Sequence, residues 1–332
     1  MKIAFVSNFV EPTGGDNILY HHATGLTKLG HQVDAYFSDF LGSAKQHNED
    51  WNSSDVNVTL YGDSLRDYNF KGYDVVIANG LHGAKRVKDV DAKRKVWFCQ
   101  NFDPYIFGSS PDIDEVYNYF DTYLTYSHDL GKIIQYYYGI KNVVYCNNGI
   151  NYQAFKPFQN RGVRKNKRVC FMVAYYRPYK GIKFANKVFG LLKDRGYTTI
   201  EINATVGPLE NTTEFHNNPA FSAKCQIITS CGTMLHPSVF ETWGLVPMES
   251  MALGVPVVGV DSKGIMEYST KKNSLIYDNR DPEIVADGIR MLSEKGHDSV
   301  YDDMQQEGIK TAMAHDWNVI MPEIEESYKE LI

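Results

Sequence analysis

With 332 residues, the chain is long enough for two domains of ordinary size. A hydrophobic content of 43% supplies two cores and excludes disorder over most of the length, while a net charge of −6 excludes a general nucleic-acid binder, which needs a basic surface for phosphate. The five cysteines (Cys99, Cys146, Cys170, Cys225 and Cys231) are odd in number and form no CxxC pair, so buried reduced thiols and a cytoplasmic setting are expected.

Taken in chain order, KIAFVS reads as a first strand directly after Met1, with no signal peptide ahead of it. DNILYHHATGLTKLG follows as a helix with Leu19, Ala23 and Leu26 on one face and Gly30 as its stop. HQVDAYF, VNVTL, YDVVIAN, KVWFCQ, TYLTYS and NVVYC are further strands, and SHDLGKIIQYYYG is a helix from Ser127 to Gly139. A polar, basic stretch from Gln159 to Lys167 reads as a linker, which divides a first domain (1–158) from a second (159–310). Beyond it, KNKRVCFMVA is a strand, KGIKFANKVFGLLKDRG a helix and TTIEINATVG a strand. PMESMALG is a short helix, VPVVGV a strand, and DPEIVADGIRMLSEKG a helix capped by Asp281. Two successive β-α-β series predict an α/β chain of two Rossmann-like, doubly wound parallel sheets, with sites at the carboxyl ends of the strands. No window approaches the roughly 18 apolar residues of a membrane span.

The stretch FETWGLVPMESMALGVPVV sets Glu241 and Glu249 on either side of Gly244 and Pro247. Pro247 is expected to open a helix, which places Glu249 in the first turn, at the positive end of the dipole. The turn Thr242-Trp243-Gly244-Leu245 leaves backbone N–H groups near a helix start, which suits an anion. Either acid alone is equally a dipole complement or a solvated loop residue. The pair suits a ligand with hydroxyls at both ends and phosphate between, because a carboxylate accepts two hydroxyls at once. A nucleotide sugar has that order.

This stretch resembles the E-x7-E signature of family-4-type retaining glycosyltransferases of the GT-B fold. Other segments resemble the same family in the same order: MKIAFVSNFVEPTGG, YCNNGINYQAFKP, YYRPYKG and GIMEY. The resemblance covers most of the chain. It implies two domains facing across a cleft, with the helices of 311–332 packing back on the first. It implies that Glu241 touches donor-sugar hydroxyls and Glu249 the ribose, with Thr242, Trp243, Gly244 and Leu245 between them. Lys180 and Arg177 would face the pyrophosphate, and Gly14 and Gly15 would approach it from the first domain. Three departures stand out. Tyr175 occupies the position of the family's arginine, Gln100 that of a histidine, and the short span from Lys180 to Glu241 implies that one β-α unit is missing or cut down. The run QNFDPYIFG is reminiscent of rhamnosyltransferase-like members, which makes Gln100 and Asp103 candidates for acceptor or sugar contact, with His82 at a nearby strand end. Asp103 reads equally as a cap before Pro104.

The expected activity is retaining transfer of a hexose from a nucleotide sugar to a glycan or lipid-linked acceptor, in surface-glycan or glycoconjugate synthesis. No metal is expected: Asp112 and Asp114 read as helix-start acids, Asp89 and Asp91 lie in a charged surface stretch, and no His/Cys cluster has ligand spacing. A sugar-nucleotide epimerase on the same fold and a non-catalytic nucleotide-sugar binder are the rival readings. A dinucleotide oxidoreductase is disfavoured, because no G-x-G-x-x-G follows the first strand. The basic segment 84–95 is either a peripheral patch for anionic lipid or a solvated helix face.

Overall fold

A computed structural model of the chain describes residues 1–8, 14–38, 54–62, 64–159, 166–173, 176–203, 207–293 and 296–332. Tyr175 and most of the expected linker lie outside the described residues. The chain divides into two compact units, Met1–Gly149 with Trp317–Ile332, and Ile150–Asp316. The first change of unit therefore falls at Gly149/Ile150, ahead of the expected position at 158/159, and the return falls at Trp317 rather than at 311.

The first unit holds a seven-stranded parallel sheet in the order β3-β2-β1-β4-β5-β6-β7. Its strands are β1 (Lys2–Ser7), β2 (Gln32–Ser38), β3 (Asn57–Tyr61), β4 (Val75–Asn79), β5 (Lys95–Phe98), β6 (Thr122–Thr125) and β7 (Asn142–Tyr145). Central strands β1 and β4 are buried almost throughout, as expected of a sheet covered on both faces. The helices are α1 (Gly14–Lys28), α2 (Gly80–Val87), α3 (Asp103–Phe107), α4 (Pro111–Tyr119) and α5 (His128–Tyr138). Ser127 caps α5 by accepting from the Leu130 N–H at 3.2 Å. Gly139 ends that helix at a φ of 65°, which glycine adopts without steric cost.

The second unit holds a six-stranded parallel sheet in the order β10-β9-β8-β11-β12-β13. Its strands are β8 (Arg168–Val173), β9 (Thr198–Asn203), β10 (Glu214–Asn217), β11 (Thr233–His236), β12 (Val257–Val260) and β13 (Ser274–Tyr277). The helices are α6 (Tyr152–Phe155), α7 (Ile182–Lys193), α8 (Phe221–Thr229), α9 (Leu245–Ala252), α10 (Pro282–Ser293) and α11 (Asp298–Ala314). No strand of the doubly wound order is lost. The short part is the β9–β10 crossover, whose described residues form no helix. The fully buried Glu201 carboxylate holds this crossover by accepting from the Leu209 N–H and the Thr212 hydroxyl, both at 2.8 Å. Strands β10 and β13 went unread in the sequence because EFHN and SLIY are short and only partly buried.

The last helix, α12 (Trp317–Lys329), belongs to the first unit. It lies against α1, where the absent Gly25 side chain makes room for Met321: a Cβ there would come 2.2 Å from Met321 Cε. Buried His22 and Tyr328 join the same two helices through a 2.9 Å hydrogen bond. All five cysteines are buried free thiols. Among the described residues, no helix is long and apolar enough to cross a membrane.

Candidate functional site

In the second unit, the segments that leave the carboxyl ends of β8, β11 and β12 meet, which is where open α/β sheets place their ligands. The segment after β8 carries Arg177 and then a 3-10 turn, Pro178–Lys180. Gly181 closes that turn at a φ of 72°, and a Cβ there would stand 1.9 Å from the Pro237 carbonyl oxygen. Only glycine satisfies both the backbone conformation and the close approach. The turn is thereby pressed against the segment after β11, which carries Glu241.

The two acids have different surroundings. Both Glu241 carboxylate oxygens stand 2.9 Å from Lys180 Nζ, and Ser238 Oγ donates to one of them at 2.8 Å. Burial pushes the Glu241 carboxyl up, but the charge of Lys180, that of His236 once it is protonated near pH 4, and the hydrogen bonds from Lys180 and Ser238 outweigh it, so its pKa is held below the ordinary carboxylate value. The carboxylate is therefore ionised, oriented and only partly covered. Glu249 pairs instead with Lys224 of α8 at 3.0 Å. Helix α9 begins at Leu245, with Gly244 as its N-cap at a φ of 93°. Pro247 is thus its third residue and Glu249 lies in the second turn, a correction to the expected first-turn position. The ion pair with Lys224, not the helix dipole, is what faces Glu249.

The turn between the acids is braced from several sides. Tyr268 donates to the Gly244 carbonyl at 2.6 Å, and its ring centroid lies 4.8 Å from that of buried Trp243. Thr242 and Gly244 are buried and Leu245 is half-buried. Gly264 comes so close that a Cβ would lie 2.3 Å from the Trp243 nitrogen, and its own N–H donates to the Glu241 carbonyl at 2.9 Å. Arg280 donates to the Pro237 and Ser238 carbonyls at 2.7 and 3.0 Å. His236, at the end of β11, contacts Ser262 Oγ at 2.8 Å; burial holds its pKa down at about 4, so it is neutral at pH 7.

Sequence reading missed Ser238, Lys224, Gly181, Arg280 and Tyr268. Only Ser238, three residues before Glu241, carried a local signal; the others act through long-range contacts. Arg177 is exposed and extended immediately before the turn that carries Lys180.

The remaining candidates lie in the first unit. Gly14 and Gly15 open α1. Gln100 is buried, and its amide donates to the Gly15 carbonyl at 3.1 Å and to Asn79 Oδ1 at 2.7 Å, while Asn79 donates to Ser7 Oγ at 3.0 Å. Where the resembling family has a histidine, this chain has an amide brace that ties the ends of β1, β4 and β5 to the glycine turn. Asp103 is buried at the start of α3 and accepts from the Tyr117 hydroxyl at 2.9 Å. Burial raises its pKa to about 6 against that hydrogen bond. His82 sits exposed on α2, its pKa lowered by partial desolvation and then by Lys85 and Arg86.

One acid of each Asp-x-Asp string has a side-chain partner. Asp112 and Asp114 lie in the first turn of α4, with Asp114 accepting from Tyr138 at 2.7 Å, and Asp91 pairs with Lys71 at 2.8 Å. Among the described residues, no group of three His, Cys, Asp or Glu side chains is placed to hold a metal ion. In the basic segment, Lys88 pairs with Glu115 at 2.5 Å, while Lys85, Arg86, Lys93 and Arg94 are exposed.

The family comparison falls on the second unit, and the comparison with solved structures on the whole chain. Residues 155–311 match the family model "Glycosyl transferases group 1". No curated protein matches the sequence. In solved structures, the whole chain is similar to HepE of Anabaena in complex with UDP-glucose, at 17% identity and a TM-score of 0.76, covering 99% of this chain and 100% of that one. A glycosyltransferase from Rickettsia africae aligns at 13% identity and a TM-score of 0.76, over 99% of this chain and 98% of that one. A TarM mutant of S. aureus, in complex with Fondaparinux, alpha-GlcNAc-glycerol and UDP, aligns at 13% identity and a TM-score of 0.75, over 100% and 99%. The fold is GT-B: two parallel-sheet, Rossmann-like α/β domains.

Proposed function

We propose that the protein is a glycosyltransferase that moves a hexose from a nucleotide sugar to a glycan or lipid-linked acceptor, with retention and without a resident metal. The observation that carries this reading is the ion pair of Lys180 with an ionised Glu241 at the carboxyl end of the second sheet. It sets a cation and an acceptor-only group side by side, as needed at a sugar–phosphate bond. The group 1 match over that unit supports it, as do UDP and UDP-glucose in the similar structures.

The roles follow from charge. Lys180, with Arg177 beside its turn, meets the diphosphate, and the N–H groups that open α9 add positive potential. As the bond from the anomeric carbon to phosphate breaks, negative charge grows on the leaving oxygen and positive character on the ring. Lys180 stabilises the first and the Glu241 carboxylate the second. The acceptor hydroxyl forms its bond to the anomeric carbon on the same face and passes its proton to the leaving phosphate oxygen. Glu249 takes the ribose hydroxyls, sharing its carboxylate with Lys224. Gly14 and Gly15, fixed by Gln100, form a backbone turn at the start of α1 that suits a phosphate, and segment 84–95 meets anionic lipid. Five buried free thiols support a cytoplasmic, reducing setting.

The test is acceptor-dependent release of nucleoside diphosphate from UDP-, GDP-, ADP- and dTDP-sugars. Release from one donor only when an acceptor is present is expected. Interconversion of the donor sugar without release would overturn the reading in favour of an epimerase.

A further inference from the structure

Outside the cluster around Glu241, one surface displays aromatic rings that folding usually hides. Tyr105 is 50% exposed and Tyr137 is 65% exposed. Both line an open surface depression of about 620 Å³ in the first unit, formed by α3, α4 and the end of α5. Phe102 and Tyr138 complete its apolar wall, and Ser109, Asp114 and Asn118 supply a polar one.

The wall is fixed from beneath. Buried Asp103 accepts from Tyr117 at 2.9 Å, and Tyr117 stacks on Tyr138 with centroids 4.5 Å apart and planes at 13°. Tyr138 in turn donates to Asp114 at 2.7 Å, and Phe102 lies 5.5 Å from Tyr137. A ligand would thus meet rings already set in place, which spares it the cost of ordering them.

The lining selects the ligand class. Among the described residues, the cavity wall includes one carboxylate and no Lys or Arg, so a phosphate or anionic headgroup would meet repulsion without a counter-charge. A purely apolar chain would desolvate Ser109, Asp114 and Asn118 without replacing their hydrogen bonds. A cation would also be drawn to the carboxylate and the ring faces, but it would leave the hydroxyl and amide of Ser109 and Asn118 unused; an uncharged molecule with flat apolar faces and many hydroxyls answers both walls. A pyranose presents C–H faces to an aromatic ring and hydroxyls to a carboxylate, whose lone pairs accept more than one donor.

We propose that this cavity binds a neutral oligosaccharide segment. The proposal rests on the glycosyltransferase reading only for the use of that segment, as the non-reacting part of an acceptor; its binding is measured separately. The experiment is calorimetric titration of the intact chain with maltohexaose, cellohexaose and xylohexaose, with UDP, GDP, ADP and dTDP titrated in parallel. Binding of at least one saccharide is expected, weakened about tenfold by Tyr137→Ala and again by Tyr105→Ala, as each ring removes stacked area. Both residues are exposed enough for the variants to fold, and an unchanged urea-unfolding midpoint would show that they have. The site is overturned if no saccharide binds to the folded chain, or if the double variant binds saccharide as well as wild type. Saccharide binding without binding of any nucleotide would leave the site standing and remove the proposed function instead.

Discussion

Replacing Glu241 by Gln tests how the Lys180–Glu241 pair works. In the structure the carboxylate spends both oxygens on Lys180 at 2.9 Å, so it screens the same cation that is assigned to the diphosphate. The side chains are 23% and 17% exposed, which places the pair between surface ion pairs, worth at most about 1 kcal/mol, and buried ones, where loss of one partner costs about 3–5 kcal/mol. An intermediate value is about 2 kcal/mol. Glu241→Gln keeps the shape but releases most of that attraction to the incoming phosphate. The free nucleoside diphosphate of the preferred donor should then bind no worse than to wild type, and up to about tenfold tighter, since about 1.4 kcal/mol is a factor of ten. Turnover should move the other way, falling about tenfold to a hundredfold, because a charge-assisted hydrogen bond worth about 1.5–3 kcal/mol is lost where the sugar becomes positive. Lys180→Ala should weaken the diphosphate by a similar factor, and the double variant should bind it like Lys180→Ala alone. The assay is calorimetric titration with that diphosphate at fixed ionic strength, beside steady-state kinetics with the preferred nucleotide sugar. If Glu241→Gln weakened the diphosphate as much as Lys180→Ala does, the pair would be a structural clamp on the 237–244 segment, and the division of roles would be refuted.

Glu249→Gln should raise the Michaelis constant and weaken the donor's nucleoside diphosphate by about tenfold with little change in turnover, because ribose does not react; a fall in turnover alone would contradict this. Gly181→Ala meets both a φ of 72° and an oxygen 1.9 Å from the new carbon, whereas Gly196→Ala meets only a φ of 79° in open space. The first should cost about 3 kcal/mol or more and the second about 1–2 kcal/mol in urea unfolding, so equal costs would count against the close approach. Buried His236 titrates at about 4 against 6.5 when unfolded, so its neutral form stabilises the fold above pH 6.5, and this is lost as pH falls towards 4. Between pH 7 and 4, wild type should lose about 3 kcal/mol more stability than His236→Gln, and parallel curves would refute the shift. Exposed Lys85, Arg86, Lys93 and Arg94 should bring the protein to anionic liposomes at low salt, with binding lost at high salt; no binding at low salt would leave them a solvated surface.

The sequence by itself determined what is local. Apolar runs bounded by turn residues gave most of the strands, and Ser127 and Gly139 bounded α5 because capping involves only neighbouring backbone. Asp281 did the same for α10, accepting from the Glu283 N–H at 2.9 Å. The repeated β-α-β pattern gave two parallel sheets, since parallel strands need crossovers. The acids Glu241 and Glu249 also stood out, from residue type and spacing around a glycine turn, and Lys180 was singled out by the family resemblance of YYRPYKG. Their partners were not. Lys180 meets Glu241 across 61 positions, Lys224 meets Glu249 across 25, and Arg280 reaches back 43 to the Pro237 carbonyl. No window of sequence contains such pairs. Strand order brings them together, and close glycine contacts such as Gly181 against Pro237 set their distances. The same holds for Gln100 and Asp103. The family resemblance singled out each of them after β5, but only packing made one the brace of the glycine turn and buried the other beneath Tyr117. Burial is a property of everything that surrounds a side chain, and that is decided only when the layers close.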